Sequence, residues 1–190
     1  MNEVQLIRSQ LALERAHAAA VANAWATALQ GDAAAEPASD TQGLFRGAGV
    51  EYLACVLAWF EERDQRLLDL VQARFGSSDP LRRAFEEVLA RPGRSREALT
   101  KLELACAGSA APDPRARERG WREFAEYFNG AWSTRRDALD ALLAANSRPT
   151  DWRTLGGIDA DSILEERRRH ALVVAQAPPD GPLGAAADRP

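Results

Sequence analysis

Residues 50–60 read VEYLACVLAWF and residues 61–75 continue as EERDQRLLDLVQARF, and together they predict the central helix of the fold. The first half is apolar on nearly every side, which is typical of a helix surrounded by others. The second half is amphipathic, with apolar residues spaced three and four apart. One stripe holds Leu53, Leu57, Phe60, Asp64, Leu67 and Val71. We therefore expect a helix from Gly47–Val50 to Phe75 whose core-facing side includes the carboxylate of Asp64.

The same spacing predicts three more long helices, over residues 3–29, residues 115–145, and from Asp159 or Asp161 to Gln176. Asp79 and Pro80 begin a short helix that ends near residue 91, and Ser95 begins another, so the two form a hairpin. No strand-like alternation is present. We expect an all-α fold with one domain, residues 1–177: a bundle of four long helices plus the short helical hairpin.

The connections have the composition of turns and linkers. Residues 31–43 read as a polar connector, residues 108–114 as a linker, residues 150–153 as one capped turn and residues 156–157 as a hinge. The tail, residues 178–190, is rich in proline, glycine and alanine and has no periodicity, so we expect it to be disordered.

Composition narrows the class of protein. The chain has 190 residues, a formal charge of −4 and 46% hydrophobic residues, which suits one domain with a substantial core. The acidic balance argues against a general nucleic-acid binder. Without a continuous apolar run of ~18 residues or a signal peptide, we expect a cytoplasmic protein that binds no membrane. Cys55 and Cys106 lie far apart in apolar contexts, which predicts buried thiols.

Charged and histidine side chains recur at positions where a buried helical row should be apolar. The row of the first helix is Val4, Ile7, Leu11, Glu14, Ala18, Val21 and Trp25, with His17 beside it. The row of the last helix is Ile163, Glu166, His170 and Val173. Burial without partners would cost several kcal/mol, so these side chains must be paired, bind a metal or reach solvent.

A metal site is one explanation. Helical bundles bind pairs of metal ions through inward-facing glutamates and histidines, and Glu14 and His17 have the Glu-x-x-His spacing once. The candidate ligands are Glu14, His17, Glu166, His170 and Asp64. Iron or manganese held there would support oxidase or hydroxylase chemistry. Under any other explanation we expect no cofactor.

An internal network of ion pairs is the competing explanation. The row of the fifth helix is Trp121, Phe124, Phe128, Ala131, Arg135, Ala138 and Leu142, so one guanidinium also falls at a buried position. Arg135 would bind Glu14 or Asp64, since arginine forms bidentate pairs with carboxylates.

The functional hypotheses follow from what the chain lacks. It has no Gly-x-Ser-x-Gly elbow, P-loop or Gly-x-Gly-x-x-Gly sequence, and whether it is an enzyme stays open. The first hypothesis is a non-enzymatic accessory or adaptor-type protein with a protein partner. Trp121, Tyr127 and Trp132 are the candidate interaction surface, although the same aromatic residues could form a large core or line a pocket for a small ligand.

Overall fold

The computed structural model describes residues 3–31, 40–89, 93–106, 114–156, 160–178 and Leu183. Within these ranges no residue forms a β-strand, which confirms the predicted all-α class. The elements are α1 (Glu3–Gly31), α2 (Asp40–Arg74), α3 (Pro80–Leu89), α4 (Gly93–Cys106), α5 (Pro114–Tyr127), a π-helical segment (Phe128–Trp132), α6 (Ser133–Asn146), α7 (Pro149–Gly156) and α8 (Ala160–Gln176).

Helix α2 is the central element, as its sequence predicts. It packs against α1, α3, α4, α7 and α8. Its first half lies in one hydrophobic cluster with α1, α4, α5, the π segment and α8, and its second half lies in another with α3, α6 and α7. The predicted start at residues 47–50 is wrong, because the helix begins at Asp40. Phe45 is buried, and its burial stabilises an end that Gly43 and Gly47 weaken.

Helix α2 also has the length and composition of a membrane span. Of the described residues, Gly43–Arg74 is the one helix that meets this criterion, with a mean hydropathy of 1.2 over its most apolar window. The central helix of a folded core has the same properties, and α2 is packed among the other helices here. The expectation that the protein binds no membrane stays a prediction.

The helix ends agree in part with the prediction. Asp79 caps α3, since its Oδ1 accepts a hydrogen bond from the Leu81 N–H at 2.8 Å. Residues 149–156 form the short helix α7 rather than a single turn. Residues 32–39 of the predicted connector, residues 108–113 of the linker and residue 157 of the hinge lie outside the described residues.

The tail is the second correction. Leu183 is only 5% exposed and belongs to the same hydrophobic cluster as α1 and α8, so the prediction of disorder is wrong at this residue. Leu183 is the one leucine of the tail, and its burial removes apolar surface from water. Residues 179–182 and 184–190 lie outside the described residues.

The third correction concerns the buried row of the long helix from α5 to α6. A turn of π-helix takes one residue more than a turn of α-helix, so every later side chain moves around the axis. The buried row is Trp121, Phe124, Phe128, Trp132, Arg136, Leu139 and Leu143. The predicted row is therefore correct up to Phe128. From Ala131 onward each predicted residue precedes the buried one by one position: Ala131 and Ala138 are exposed, and Leu142 is only partly buried.

Candidate functional site

A buried polar cluster joins α1, α2 and α8. Glu166 is fully buried, and its Oε1 accepts hydrogen bonds from the Tyr52 hydroxyl at 2.7 Å and from His17 Nδ1 at 2.8 Å. One turn further along α8, His170 stacks on His17 with the ring centroids 3.8 Å apart and an interplanar angle of 6°. Of the five predicted metal ligands, the structure brings His17, Glu166 and His170 together, whereas Glu14 and Asp64 bind arginines. Tyr52 belongs to the apolar stretch of residues 50–60 and was not among the predicted ligands.

The protonation states in this cluster follow from burial and hydrogen bonding. Burial by itself raises the pKa of Glu166, but hydrogen bonds from His17 and Tyr52 outweigh it and hold that pKa below its ordinary value. Burial and the adjacent His17 ring lower the pKa of His170 to about 4. Burial and the bond to Glu166 raise the pKa of Tyr52, so the phenol stays a donor. Near neutral pH the cluster therefore holds an ionised Glu166 beside a neutral His170.

Two atoms of the cluster are buried without a hydrogen-bond partner among the described residues, Glu166 Oε2 and His170 Nε2. A metal ion could satisfy both, but the histidine geometry opposes a shared ion. The lone pair of a ring nitrogen lies in the ring plane, so the stacked rings of His17 and His170 do not direct their nitrogens at one point. The described residues contain no group of three or more His, Cys, Asp or Glu side chains arranged to hold a metal.

The other two predicted metal ligands bind arginines instead. Glu14 is fully buried, and its Oε2 accepts a hydrogen bond from Arg63 Nη1 at 2.5 Å. A longer bond of 3.3 Å comes from the Gln10 amide one turn earlier on α1. Glu14 is thus neutralised by a guanidinium from α2, which argues against a role as a cation ligand.

Asp64 has two guanidinium partners from α6. Arg136 binds both carboxylate oxygens, with Nη1 2.7 Å from Oδ1, and Arg135 Nη2 lies 2.6 Å from Oδ2. The predicted ion pair between Arg135 and Asp64 is confirmed. Arg136 was missed because the π segment turns it inward, and Arg63 was missed because it lies next to the buried row rather than in it.

A cleft of about 500 Å³ lies between α1, α2 and α6. Helix α1 packs against α5 at one end and against α7 at the other. Between these ends, the backbones of α1 and α6 are not in close contact. Small side chains on the α1 wall leave the space open: Ala12, Ala16 and Ala19. The apolar part of the lining is Leu11, Phe60, Leu67, Leu139, Leu143 and Trp152. The volume and mixed lining fall in the range of small-molecule sites, about 300–1,000 Å³.

Charged side chains surround this apolar floor. Arg15 bridges the cleft from α1 to α6, where its Nη2 lies 2.6 Å from the Ser133 hydroxyl and 2.7 Å from Asp137 Oδ1. Asp140 also lies on the α6 side of the cleft. Burial raises the pKa of Asp140, although the charges of Arg15 and Arg136 oppose the shift. The buried Asp64–Arg136 pair also lines the cleft, so buried charges and apolar surface meet in one place.

The α7 end of the cleft is held by a further ion pair. Asp151 is buried and accepts hydrogen bonds from Arg74 Nη1 at 2.8 Å and from the Arg148 N–H at 2.6 Å. These bonds tie α7 to the end of α2 and fix the position of Trp152. The guanidinium carbon of Arg8 lies 5.5 Å from the centroid of the Trp152 ring, within range of a cation–π interaction.

The predicted interaction surface is mostly interior. Trp121 and Trp132 are 1% and 2% exposed and belong to the hydrophobic core, so they are not available to a partner. Tyr127 is partly buried, and its hydroxyl lies 2.8 Å from the Ser95 hydroxyl. The aromatic residues of this helix therefore serve the core, while Arg136, Leu139 and Leu143 further along the same buried row line the cleft.

The structure describes the side chain of only one of the two cysteines. Cys55 is a free thiol of intermediate exposure, and burial raises its pKa, so it is a weak nucleophile. The side chain of Cys106 lies outside the described part of the chain.

Comparison of the chain with family models, with curated proteins and with solved structures found no match. The functional argument therefore depends on the geometry of the cleft and of the buried cluster.

Proposed function

We propose that this protein is a non-enzymatic binding protein that holds a small organic molecule in the cleft between α1, α2 and α6. The cleft itself is the observation that carries the proposal. It combines an apolar floor with buried ion pairs, and this combination is typical of sites that enclose the body of a ligand and orient its polar group.

The architecture supports a rigid site of this kind. Asp64 on α2 binds Arg135 and Arg136 on α6, so the two helices that supply most of the floor are held together. The Arg74–Asp151 pair fixes the α7 end. Side chains held by such pairs are preorganised, which lowers the entropy cost of binding.

Thermal denaturation with a library of small metabolites tests the proposal. A ligand present at about 100 times its Kd stabilises the folded state by about 2.7 kcal/mol, which is roughly 5–10 °C for a chain of this length. Ala16→Trp places a large side chain in the cleft and should abolish the shift. Ala20→Trp is the matched control, because Ala20 is exposed on α1 and does not line the cleft. A ligand whose shift survives Ala16→Trp would bind elsewhere and contradict the proposal.

The predicted iron- or manganese-binding protein is the second candidate. The unpartnered Glu166 Oε2 and His170 Nε2 favour it, because a buried carboxylate oxygen and a buried imidazole nitrogen are both suitable ligands. His17 would have to turn out of its stack before it could join them. A bound metal would supply the Lewis acid or redox chemistry of an oxidase or hydroxylase.

Elemental analysis after expression in iron- and manganese-supplemented medium tests this candidate. Metal binding predicts about one ion per chain in the wild type. His170→Ala should lower the metal content, since removing a ligand weakens a metal site. His17→Ala should keep most of the metal if Glu166 and His170 are the main ligands. Less than about a tenth of an equivalent in the wild type would contradict metal binding.

A protein partner remains part of the proposal for an accessory role. Leu164 and Leu172 lie two turns apart on α8 and are 62% and 46% exposed, which favours a contact along that helix. Co-purification from the native host should return a stoichiometric partner with the wild type and lose it with Leu164→Glu. Absence of any stoichiometric partner would contradict this role.

A further inference from the structure

We infer that the cleft takes an organic anion, with a carboxylate or a phosphate ester carried on an apolar body. This inference rests on the proposed binding function and adds the chemical class of the ligand. Two features that do not depend on each other carry it: an excess of positive charge at the buried floor, and an arginine at the open end that forms no ion pair among the described residues.

The buried floor has one more guanidinium than carboxylate. Asp64 is the carboxylate that both Arg135 and Arg136 bind, and the two arginine side chains are only 9% and 8% exposed. Arginine keeps its proton in proteins, so one of the two positive charges has no carboxylate of its own bound to it among the described residues, and Glu61 acts on Arg135 only at longer range. The Nε of Arg136 is also buried, and no described residue forms a hydrogen bond with it. Burial makes such a charge costly unless a counter-ion approaches it.

The open end offers the second cation. Arg8 is exposed, lines the cleft beside Trp152 and forms no ion pair within 4 Å in the described part of the chain, although its charge acts at longer range on Asp140. An accessible guanidinium over an aromatic ring can bind an oxyanion directly while the ring contacts the ligand body. Arg8 is therefore the residue that should contact the acid group, whereas Arg136 acts through its charge.

The carboxylates around the cleft do not cancel this excess. Glu14 is bound by Arg63, and Asp137 and Asp140 are both within 4 Å of Arg15. The charged side chains that line the cleft are four arginines and three aspartates: Arg8, Arg15, Arg63, Arg136, Asp64, Asp137 and Asp140. The lining as a whole favours an anion.

Four probes with one apolar body separate charge from shape: 2-naphthoate, 2-naphthyl phosphate, 2-naphthamide and 2-naphthylmethylamine. Isothermal titration calorimetry should give about tenfold tighter binding for at least one of the two anions than for the neutral amide, and the weakest binding for the amine. The order of the two anions identifies the acid group. Higher salt should weaken the anions and leave the amide unchanged.

Arg8→Gln should weaken the preferred anion about five- to tenfold and leave the amide unchanged, since only the anion uses the guanidinium. Arg167→Gln is the matched control, because Arg167 is exposed on α8 and does not line the cleft. The same change in net charge there should alter neither affinity.

The outcomes separate this inference from the binding function. If the amide binds as tightly as both anions and Ala16→Trp abolishes all binding, the cleft binds ligands but the anion inference is wrong. If Arg8→Gln and Arg167→Gln weaken the anion equally, the effect is one of net charge and the assignment of Arg8 is wrong. If no probe binds, or if Ala16→Trp changes nothing, both the inference and the binding function fail for this class of ligand.

Discussion

At the scale of single residues, each of the four most deeply buried carboxylates is held by a donor from another helix. Glu14 binds Arg63, Asp64 binds Arg135 and Arg136, Asp151 binds Arg74, and Glu166 binds Tyr52 and His17. Such groups add little net stability compared with apolar side chains, but removing one partner is costly. Their main structural effect is to fix how the helices face each other.

The pair of arginines on Asp64 predicts an asymmetric response to mutation. Asp64→Asn leaves two buried guanidinium groups without a carboxylate and should cost roughly 3–5 kcal/mol of unfolding free energy. Arg135→Ala should cost only about 1–2 kcal/mol, because Arg136 still binds Asp64. Urea denaturation measures both. Asp69→Asn is the control, since Asp69 is exposed on α2 and should change stability by less than about 0.5 kcal/mol. A loss below about 1 kcal/mol for Asp64→Asn would mean that the cluster is hydrated.

His170 predicts a loss of stability in mild acid. Its folded-state pKa of about 4 lies below the ordinary 6.5, so between these values the unfolded chain binds more protons and unfolding is favoured. Stability should fall by about 2–3 kcal/mol as the pH drops from 6.5 to 4. The depressed pKa of Glu166 adds a further loss that begins near its ordinary value of 4.5 and continues to lower pH. Urea midpoints of wild type and His170→Gln across this range isolate the effect, and parallel curves would contradict it.

At the scale of elements, the π segment decides which face of α6 is buried. It carries Trp132, Arg136 and Leu139 inward and so supplies both the floor of the cleft and the second arginine on Asp64. Asn129, Gly130 and Ala131 are the exposed residues of this segment. The extra residue costs regular α-helical hydrogen bonds, which the burial of these side chains offsets.

Deleting Ala131 should therefore destabilise the protein although it permits a regular α-helix. The deletion turns α6 by about 100° and removes Arg136 and Leu139 from the interior, a loss of more than about 3 kcal/mol. Gly130→Ala is the matched control that keeps the length. A Cβ at Gly130 meets no atom within 4 Å, so this change should stabilise by about 0.4–1 kcal/mol. Equal stability of the deletion variant and the wild type, measured by urea denaturation, would contradict the register argument.

At the scale of the whole molecule, periodicity predicted which polar residues are buried but not what they bind. Glu14, Asp64 and Glu166 stand in strict three-four rows, so their burial could be read from spacing alone. Their partners depend on how helices face each other in space. Arg63 lies next to Asp64 in the chain yet binds Glu14 on α1. The cleft could not be predicted either, because it arises where α1 and α6 stand apart rather than from any motif.

The tail gives the last test of the assembled core. Leu183 lies outside every periodic segment, so sequence spacing had no means of placing it, yet it is buried in the cluster that joins α1, α2 and α8. Leu183→Ala should lower the unfolding free energy by about 2–3 kcal/mol, because it removes buried methyl groups and leaves a cavity. Leu172→Ala is the control: this leucine is 46% exposed on α8, and its loss should cost well under about 1 kcal/mol. If both variants unfold at the same urea concentration as the wild type, the tail does not close this end of the core, and the disorder expected from its composition would be correct.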